Sequence, residues 1–200
     1  MTLGDGGVAN FESSLERDWL LALDFDPRVR SIQVQPFSLH YEHQGATRRY
    51  TPDVRADYSL ASGTATLVYE VKPHGELQAN WSVYRPRFKA AVRYCRGQGW
   101  RFKVVTERHI RTALLDNARF LRRYRLLPEQ DIYVQQLLYT LRALGMTTPQ
   151  ALLAAAYWAE ESRMAALPML WKLIATRRLG TDLQMPLTMS APIWLPGSGA

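Results

Sequence analysis

The spacing of apolar residues changes repeatedly along the first 125 residues, and this constrains the fold more than any other feature. Phe11 to Leu23 repeats apolar residues at steps of three and four, which predicts a helix. Alternation with a period of two then predicts strands over Val29 to Gln35, Phe37 to Tyr41, Tyr50 to Tyr58 and Thr64 to Val71. The segments that follow predict a helix over Ser82 to Arg96, a strand over Trp100 to Thr106 and a helix over Asp116 to Tyr124. This order predicts an α/β domain whose first strands form a meander.

A second domain is predicted to begin after Leu127-Pro128, where a block of cationic residues ends and helical segments follow. These helices are predicted near Gln130 to Leu144, Pro149 to Glu161 and Met164 to Arg178. Asp182 to Leu195 mixes strand formers with two prolines and is consistent with a two-stranded wing. We therefore expect one domain over residues 1–127 and a small, mostly α, winged-helix-like domain over residues 128–200.

Positive charge is concentrated in one part of the chain. Residues 85–125 carry 13 Lys and Arg against two acidic residues, a local charge of 13 − 2 = +11, whereas residues 1–84 total 7 − 11 = −4. Eleven of the 13 are Arg, which binds phosphate in a bidentate manner. The block favours a nucleic-acid partner. The alternative is an Arg-rich composition that produces only a solvated face. We assign the predicted DNA contacts to Arg85, Lys89, Arg93 and Arg122.

Several classes of protein are disfavoured. No apolar run approaches the roughly 18 residues that span a bilayer. Cys95 is the only cysteine, so an intrachain disulfide is excluded, and the chain lacks the Cys and His spacing of a zinc site. The first nine residues lack the basic stretch and apolar run of a secretory signal. We expect a protein of the reducing cytoplasm.

The clearest chemical motif is Pro52-Asp53 followed, after 16 residues, by Glu70-Val71-Lys72. The period of a strand places Glu70 and Lys72 on one face, and Asp53 on the neighbouring strand could reach that face. Carboxylate oxygens suit Mg²⁺, or Mn²⁺ in its place, which activates water for phosphodiester hydrolysis. An ammonium group beside them can orient the attacking water or offset developing charge. The motif therefore predicts Asp53 and Glu70 as metal ligands and Lys72 as a catalytic residue.

The same three residues could instead form a cross-strand ion pair on an exposed sheet edge. Two observations favour catalysis. The chain has only four Lys against 21 Arg, so a Lys placed two residues after an acid is unexpected by composition. Val68 and Val71 are also typical of a buried strand, where surface charge is rare.

A third carboxylate is available on the first helix, from Glu16 or Glu12. Ser13 and Glu16 have the spacing of a capping box, in which Glu16 would only bind the backbone amide of Ser13, and the local sequence leaves both roles open. Gln33 and Gln35 could also face the site, although glutamine on a strand is usually polar surface.

Five segments together are similar to the TnsA family, the endonuclease subunit of heteromeric transposases in the PD-(D/E)xK nuclease superfamily. They are Glu12-Ser-Ser-Leu-Glu16-Arg-Asp, Leu23-Asp-Phe-Asp-Pro27 followed by Val29, Gln33-Val-Gln35-Pro36, Tyr50-Thr-Pro-Asp53 and Glu70-Val-Lys72-Pro73. The resemblance covers roughly residues 10–125, with the segments in the family's order.

This resemblance implies a restriction-endonuclease-like mixed sheet flanked by helices. It also implies that Glu16, Asp53, Glu70 and Lys72 surround one or two Mg²⁺ ions, with metal bound by the three carboxylates. It favours Glu16 as a site residue over a purely capping role. Some members of the family have glutamine at the position of Glu70, so this sequence is closer to the general nuclease pattern and its metal count could differ.

The resemblance further implies that the protein cuts double-stranded DNA at the 5′ ends of a transposon, while the TnsB transposase cuts and joins the 3′ ends. The C-terminal domain would contact DNA and the AAA+ regulator TnsC. Residues 128–200 have a net charge of 5 − 5 = 0, which indicates that contact with protein is at least as important for this domain as contact with DNA. Two alternatives remain: a stand-alone restriction or repair nuclease, and a DNA-binding adaptor without activity, which the intact Asp53, Glu70 and Lys72 disfavour.

Overall fold

The computed structural model describes residues 13–197, and its helices and strands are numbered here in chain order. The first elements are α1 Ser14–Phe25, β1 Val29–Val34, β2 Leu39–His43, β3 Ala46–Tyr50, β4 Val54–Leu60, β5 Gly63–Val71, α2 His74–Ala79, α3 Trp81–Gly97, β6 Arg101–Val105 and α4 Glu107–Ile110. They are followed by α5 Ala113–Arg125, α6 Asp131–Leu144, α7 Pro149–Ala156 and α8 Glu160–Ala175. The chain folds as two compact units that divide between Leu115 and Asp116.

The first unit is built on a four-stranded mixed sheet with the order β1-β4-β5-β6. β4 pairs antiparallel with both β1 and β5, whereas β5 and β6 are parallel. A parallel pair needs a crossover connection, which α2 and α3 provide. β4 and β5 are joined by a tight turn in which Gly63 has a φ of 125°, a conformation that favours glycine. The α/β architecture expected from the sequence is confirmed.

The predicted meander is wrong. β2 and β3, which lie between β1 and β4 in the sequence, form a separate two-stranded sheet. Their turn contains Gln44 and Gly45, both with positive φ, as a tight hairpin requires. Tyr50 ends β3, and the chain then passes through Pro52 before β4 begins at Val54. The strand predicted over Tyr50 to Tyr58 therefore corresponds to β4, and β3 was not predicted apart from Tyr50. β1 therefore pairs with β4 rather than with its neighbour in sequence.

Helices lie on both faces of the mixed sheet. Val54, Ala56 and Tyr58 are buried on one face. α1 packs against β1 and β5, and the ring of Trp19 meets that of Tyr69 with centroids 5.0 Å apart. On the other face, α3 packs against β6 and β2. The core there contains Leu39, Tyr50, Phe88, Ala90 and Ala91.

The second unit includes most of α5, which lies before the boundary predicted at Leu127. The buried side chain of Asn117 donates hydrogen bonds to the carbonyls of Leu183 and Met185, at 2.9 and 2.7 Å, and accepts one from the amide of Leu187 at 3.0 Å. These bonds tie α5 to the segment after α8. The assignment of a catalytic domain to residues 1–127 and of an interaction domain to residues 128–200 stays a prediction.

α6, α7 and α8 follow the three helices predicted for the C-terminal region. Asp182 to Leu195, however, forms no strand pair of its own in the described part of the chain. Isolated bridges join Thr147 to Ile193 and Gly180 to Trp194 instead. Two prolines in this segment lack backbone donors, which limits strand pairing. In place of the predicted two-stranded wing, the described residues show only these isolated bridges. The winged-helix interpretation stays a prediction.

Among residues 13–197, the helices are too short or too polar for any of them to cross a membrane.

Candidate active site

Asp53, Glu70 and Lys72 meet at one end of the β4 and β5 pair. The backbone amide of Asp53 donates to the carbonyl of Tyr69 at 3.1 Å, and the amide of Val71 donates to Asp53 Oδ2 at 2.7 Å. Lys72 Nζ lies 3.4 Å from Glu70 Oε1 and 4.0 Å from Asp53 Oδ2. The three residues predicted from the motif are thus brought together by the register of two adjacent strands.

Glu70 is buried, with a side chain that is 2% exposed. The hydroxyl of Tyr50 donates to Glu70 Oε2 at 2.5 Å, and the guanidinium of Arg87 donates to Oε1 at 3.2 Å. Burial, together with the charge and hydrogen bond of Glu70, raises the pKa of Tyr50 far above its usual value, so the phenol stays protonated and remains a donor. Both carboxylate oxygens therefore have partners, as a buried charge requires.

The carboxyl of Asp53 is in a less favourable environment for its charged form. Burial and the charge of Glu70 raise the pKa of Asp53 to about 7, although the amide of Val71 and the charge of Lys72 oppose this rise. Burial also acts against charge on Lys72, but the neighbouring Glu70 and Asp53 outweigh it and raise the pKa of Lys72 overall. The site therefore combines two crowded carboxylates with a protonated ammonium group.

Glu16 lies on the first turn of α1, where the hydroxyl of Ser13 accepts from its amide at 3.2 Å and donates to its Oε1 at 3.1 Å. Its charge contributes to the raised pKa of Asp53, which places the carboxylate within electrostatic reach of the site. Within residues 13–197, no three His, Cys, Asp or Glu side chains are grouped closely enough to hold a metal ion. Metal ligation by Glu16 stays a prediction, and Glu12 lies outside the described residues.

Gln33 and Gln35 lie at the same end of the sheet. Gln33 is exposed on β1 opposite Arg55 of β4. The amide of Gln35 donates to the carbonyl of Asp53 at 2.8 Å, and Gln35 has a φ of 47°, an uncommon value for a residue other than glycine. The backbone of Gln35 thus supports Asp53, while contributions from the two side chains stay predictions.

Residues 26–107 match the family model described as "TnsA-like endonuclease N terminal". The chain carries a TnsA-like endonuclease domain. No curated protein matches the chain. The matched range contains all six strands and also Asp53, Glu70 and Lys72. The resemblance inferred from the sequence is thereby confirmed, and this part of the chain is a nuclease domain related to TnsA. Glu16 and the second unit lie outside the match.

Sequence reasoning missed two residues in this TnsA-like domain, Tyr50 and Arg87, although both bind Glu70. From the sequence, Arg87 belongs only to the cationic block. Its spacing of four residues from the buried Ala91 indicates that it shares the inner side of α3. A cation on the inner side of a helix needs a buried anion as its partner, and this requirement could have identified Arg87 as a site residue. Tyr50 had no comparable signal, because its contact depends on the β2 and β3 hairpin.

The predicted DNA contacts are divided between the two units. Arg85, Lys89 and Arg93 follow one another at four-residue steps along the exposed side of α3, beside the TnsA-like sheet. Arg122 is exposed on α5, within the second unit. The structure thus groups the first three along one side of α3, while Arg122 belongs to the second unit. All four DNA contacts stay predictions.

Proposed function

We propose that the protein is a Mg²⁺-dependent DNA endonuclease that cuts the 5′ ends of a transposon during cut-and-paste transposition. The observation that carries this proposal is the convergence of Asp53, Glu70 and Lys72 within a TnsA-like endonuclease domain. An ion pair on a sheet edge would use the same residue types, but it would leave Glu70 exposed, whereas Glu70 is buried. Burial of a charge is costly, so a catalytic need for the carboxylate accounts for its position better than stability does.

The residues present fit a divalent cation. Asp53 and Glu70 are hard oxygen donors placed side by side, and the crowding that raises the pKa of Asp53 would be relieved by a nearby positive ion. Glu16 is the proposed third carboxylate. Mg²⁺, or Mn²⁺ in its place, would polarise a phosphoryl oxygen and make hydroxide available near neutral pH.

Lys72 has a separate role in this proposal. Its ammonium group lies close to both carboxylates and keeps its proton, because their charges raise its pKa. It can therefore donate a hydrogen bond to the attacking water or to a phosphate oxygen as negative charge develops. Arg87 and Tyr50 also bind Glu70 and act as positioning residues.

The proposed partners are the transposon ends, the TnsB transposase that cuts and joins the 3′ ends, and the TnsC ATPase, all in the bacterial cytoplasm. The TnsA-like domain supports this assignment. The second unit is proposed as the region that contacts DNA and TnsC. Residues 128–200 carry no net charge, which favours protein contact there at least as much as DNA contact.

Strand-specific cleavage of end-labelled transposon DNA by the reconstituted proteins tests the proposal. With Mg²⁺, Asp53→Ala and Lys72→Ala should each lower 5′-end cutting by about 100-fold or more, while 3′-end cutting by TnsB continues. Lys103→Ala and Asp116→Ala are matched controls, because both residues are exposed. EDTA should stop cutting at both ends. Wild-type cutting by Asp53→Ala and Lys72→Ala would show that the two residues are structural.

A second candidate function is a restriction or repair nuclease that acts alone. It is favoured by Glu70, which fits the general nuclease pattern, and by a family match that ends at residue 107. The two functions differ in their need for partners. A transposase subunit should leave plasmid DNA intact when incubated with Mg²⁺ alone, whereas a stand-alone nuclease should cut it.

A further inference from the structure

A groove of about 400 Å³ lies along α3, apart from the candidate active site. Its apolar floor includes Trp81, Phe88 and Val92. Phe88 is buried in the core, and the ring of Trp81 lies against it with centroids 6.1 Å apart, yet Trp81 remains 49% exposed. The groove therefore presents the half-exposed indole ring of Trp81, which packs at an angle against the buried ring of Phe88.

Four cations border this floor: Arg85, Lys89, Arg93 and Arg96. The sequence of α3 contains no acidic residue that could neutralise them, so the groove is complementary to an anion. Successive cations are three or four residues apart, which corresponds to about 4.5–6 Å along the helix axis. A linear polyanion that also offers flat apolar groups would match both the border and the floor.

The groove and the candidate active site use different sides of α3. Arg87 binds Glu70, whereas Arg85 borders the groove. These two positions are separated by about 200° around a helix with 3.6 residues per turn. A ligand in the groove therefore lies beside the catalytic residues and does not occupy their position.

We infer that this groove binds an unpaired stretch of DNA, with a base stacked on Trp81 and its phosphates on the bordering cations. The inference rests on the proposed function, in which the chain acts on DNA. A duplex hides the faces of its bases, so it would leave the apolar floor unused, whereas an unpaired base exposes a face that stacks on aromatic side chains. Three of the four cations are Arg, whose guanidinium also binds phosphate in a bidentate manner.

The position of the groove defines which DNA it holds. Since the groove lies on another side of α3 from the Arg87 and Glu70 contact, the nucleotides bound there are not the ones that Asp53, Glu70 and Lys72 would hydrolyse. It is unpaired DNA next to the cut. Stacking of this kind is tolerant of sequence, because every base has an aromatic face.

Binding of a fluorescein-labelled oligo(dT) and of a labelled duplex of equal length, both in EDTA, tests this inference on the full chain. Trp81→Ala should weaken oligo(dT) binding by about tenfold relative to duplex binding, and Trp81→Phe by less, since a phenyl ring keeps part of the surface on which a base stacks. Oligo(dT) should also quench tryptophan emission in the wild type, and this quenching should be largely absent in Trp81→Phe. Val83→Ala is the matched control, because Val83 is exposed on α3 but does not line the groove.

Three results would overturn the inference. Equal loss of duplex and oligo(dT) affinity in Trp81→Ala would show a general DNA surface and leave the proposed function standing. A polyglutamate peptide is the second test. If it competes with oligo(dT), and if its binding depends on Trp81 as strongly as oligo(dT) binding does, the ligand of the groove is an acidic protein segment. Failure of the wild type to bind either DNA, together with absence of cleavage in the reconstituted reaction, would contradict the proposed function itself.

Discussion

Glu70 depends on side chains from three separate parts of the chain. Tyr50 comes from the end of β3, Lys72 follows β5, and Arg87 projects from α3. A buried carboxylate that loses one such partner keeps the cost of desolvation without the compensating charge. Stability of the unit and integrity of the site are therefore linked through this one residue.

Replacing Arg87 should expose this dependence. We expect Arg87→Met to lower the free energy of unfolding by about 2 kcal/mol or more, because Glu70 would lose a buried cationic partner. The measurement is urea denaturation in EDTA. Arg85→Met is a close control, since Arg85 is exposed two residues away on the same helix, and it should change stability by no more than about 0.5 kcal/mol.

The loss of stability in Arg87→Met should also shrink when Glu70 is replaced by glutamine, because the buried charge is then absent. Equal effects of Arg87→Met and Arg85→Met would contradict the role given to Arg87. An undiminished loss in the Glu70→Gln background would assign it to packing against Tyr84, over whose ring Arg87 also lies.

The raised pKa of Asp53 gives stability a defined pH dependence in the absence of metal. Since burial and Glu70 move this pKa from its ordinary value of 3.8 to about 7, the native state binds a proton more readily than the unfolded state between these values. Stability contributed by Asp53 is therefore present at low pH and is lost as the pH rises through about 7. Asp53→Asn cannot lose a proton there.

We expect Asp53→Asn to gain about 2 kcal/mol of unfolding free energy relative to the wild type between about pH 5 and about pH 8. Chemical denaturation in EDTA at several pH values measures this difference. Asp116→Asn, at an exposed position of α5, should show no such trend. A constant difference between Asp53→Asn and the wild type across this range would mean that Asp53 is ionised throughout.

The individual strands of the first unit were largely predictable, whereas their partners were not. The period of two in Thr64 to Val71 identifies β5 and places Glu70 and Lys72 on one face, because that period is a local property of the chain. Pairing of β1 with β4 depends on where the β2 and β3 hairpin leaves the sheet, which local sequence does not specify. α2 and α4 were missed because they have only six and four residues, and β3 was missed except for Tyr50.

The same limit applies to the site. Asp53 and Glu70 could be predicted because Asp53 directly precedes β4, Glu70 lies on β5, and a short turn joins these two paired strands. Tyr50 and Arg87 reach Glu70 through the hairpin and α3, so their roles depend on packing between elements. Glu16 is intermediate: its helix was predictable, but its choice between capping and metal binding was not.

Asn117 connects α5 to the irregular segment near residue 185, and its loss should weaken the second unit. We expect Asn117→Ala to cost about 2–3 kcal/mol, because two carbonyls and one amide would lose a buried partner. Thermal or chemical denaturation measures the effect. Asn80→Ala removes an exposed asparagine and should cost no more than about 0.5 kcal/mol. Similar losses in both variants would contradict the proposed anchoring role.

Charge is distributed unevenly over the whole molecule, and its effect should appear in the salt dependence of DNA binding. Joint replacement of Arg85, Lys89 and Arg93 by Ala should weaken duplex binding and reduce the slope of log K against log salt by about 0.9 for each phosphate that is no longer neutralised. Arg122→Ala tests the second unit separately. Arg48→Ala, at an exposed arginine of β3, serves as a control. An unchanged slope in the triple variant would remove these residues from the DNA interface.

The short turn between β4 and β5 has a consequence for the order of folding. Ala61 and Ser62 close this hairpin, so Asp53 and Glu70 can meet through contacts that are local in sequence. Arg87 lies 17 residues from Glu70, as Asp53 does, but it is carried by α3, which packs against β2 and β6. Those contacts, and the pairing of β6 with β5, join residues that are farther apart in the chain, and such contacts form more slowly. The nascent hairpin therefore carries two adjacent carboxylates with only Lys72 to offset them. Docking of α3 supplies the guanidinium of Arg87 and thereby also completes the site. A chain arrested before this step would be both unstable and inactive.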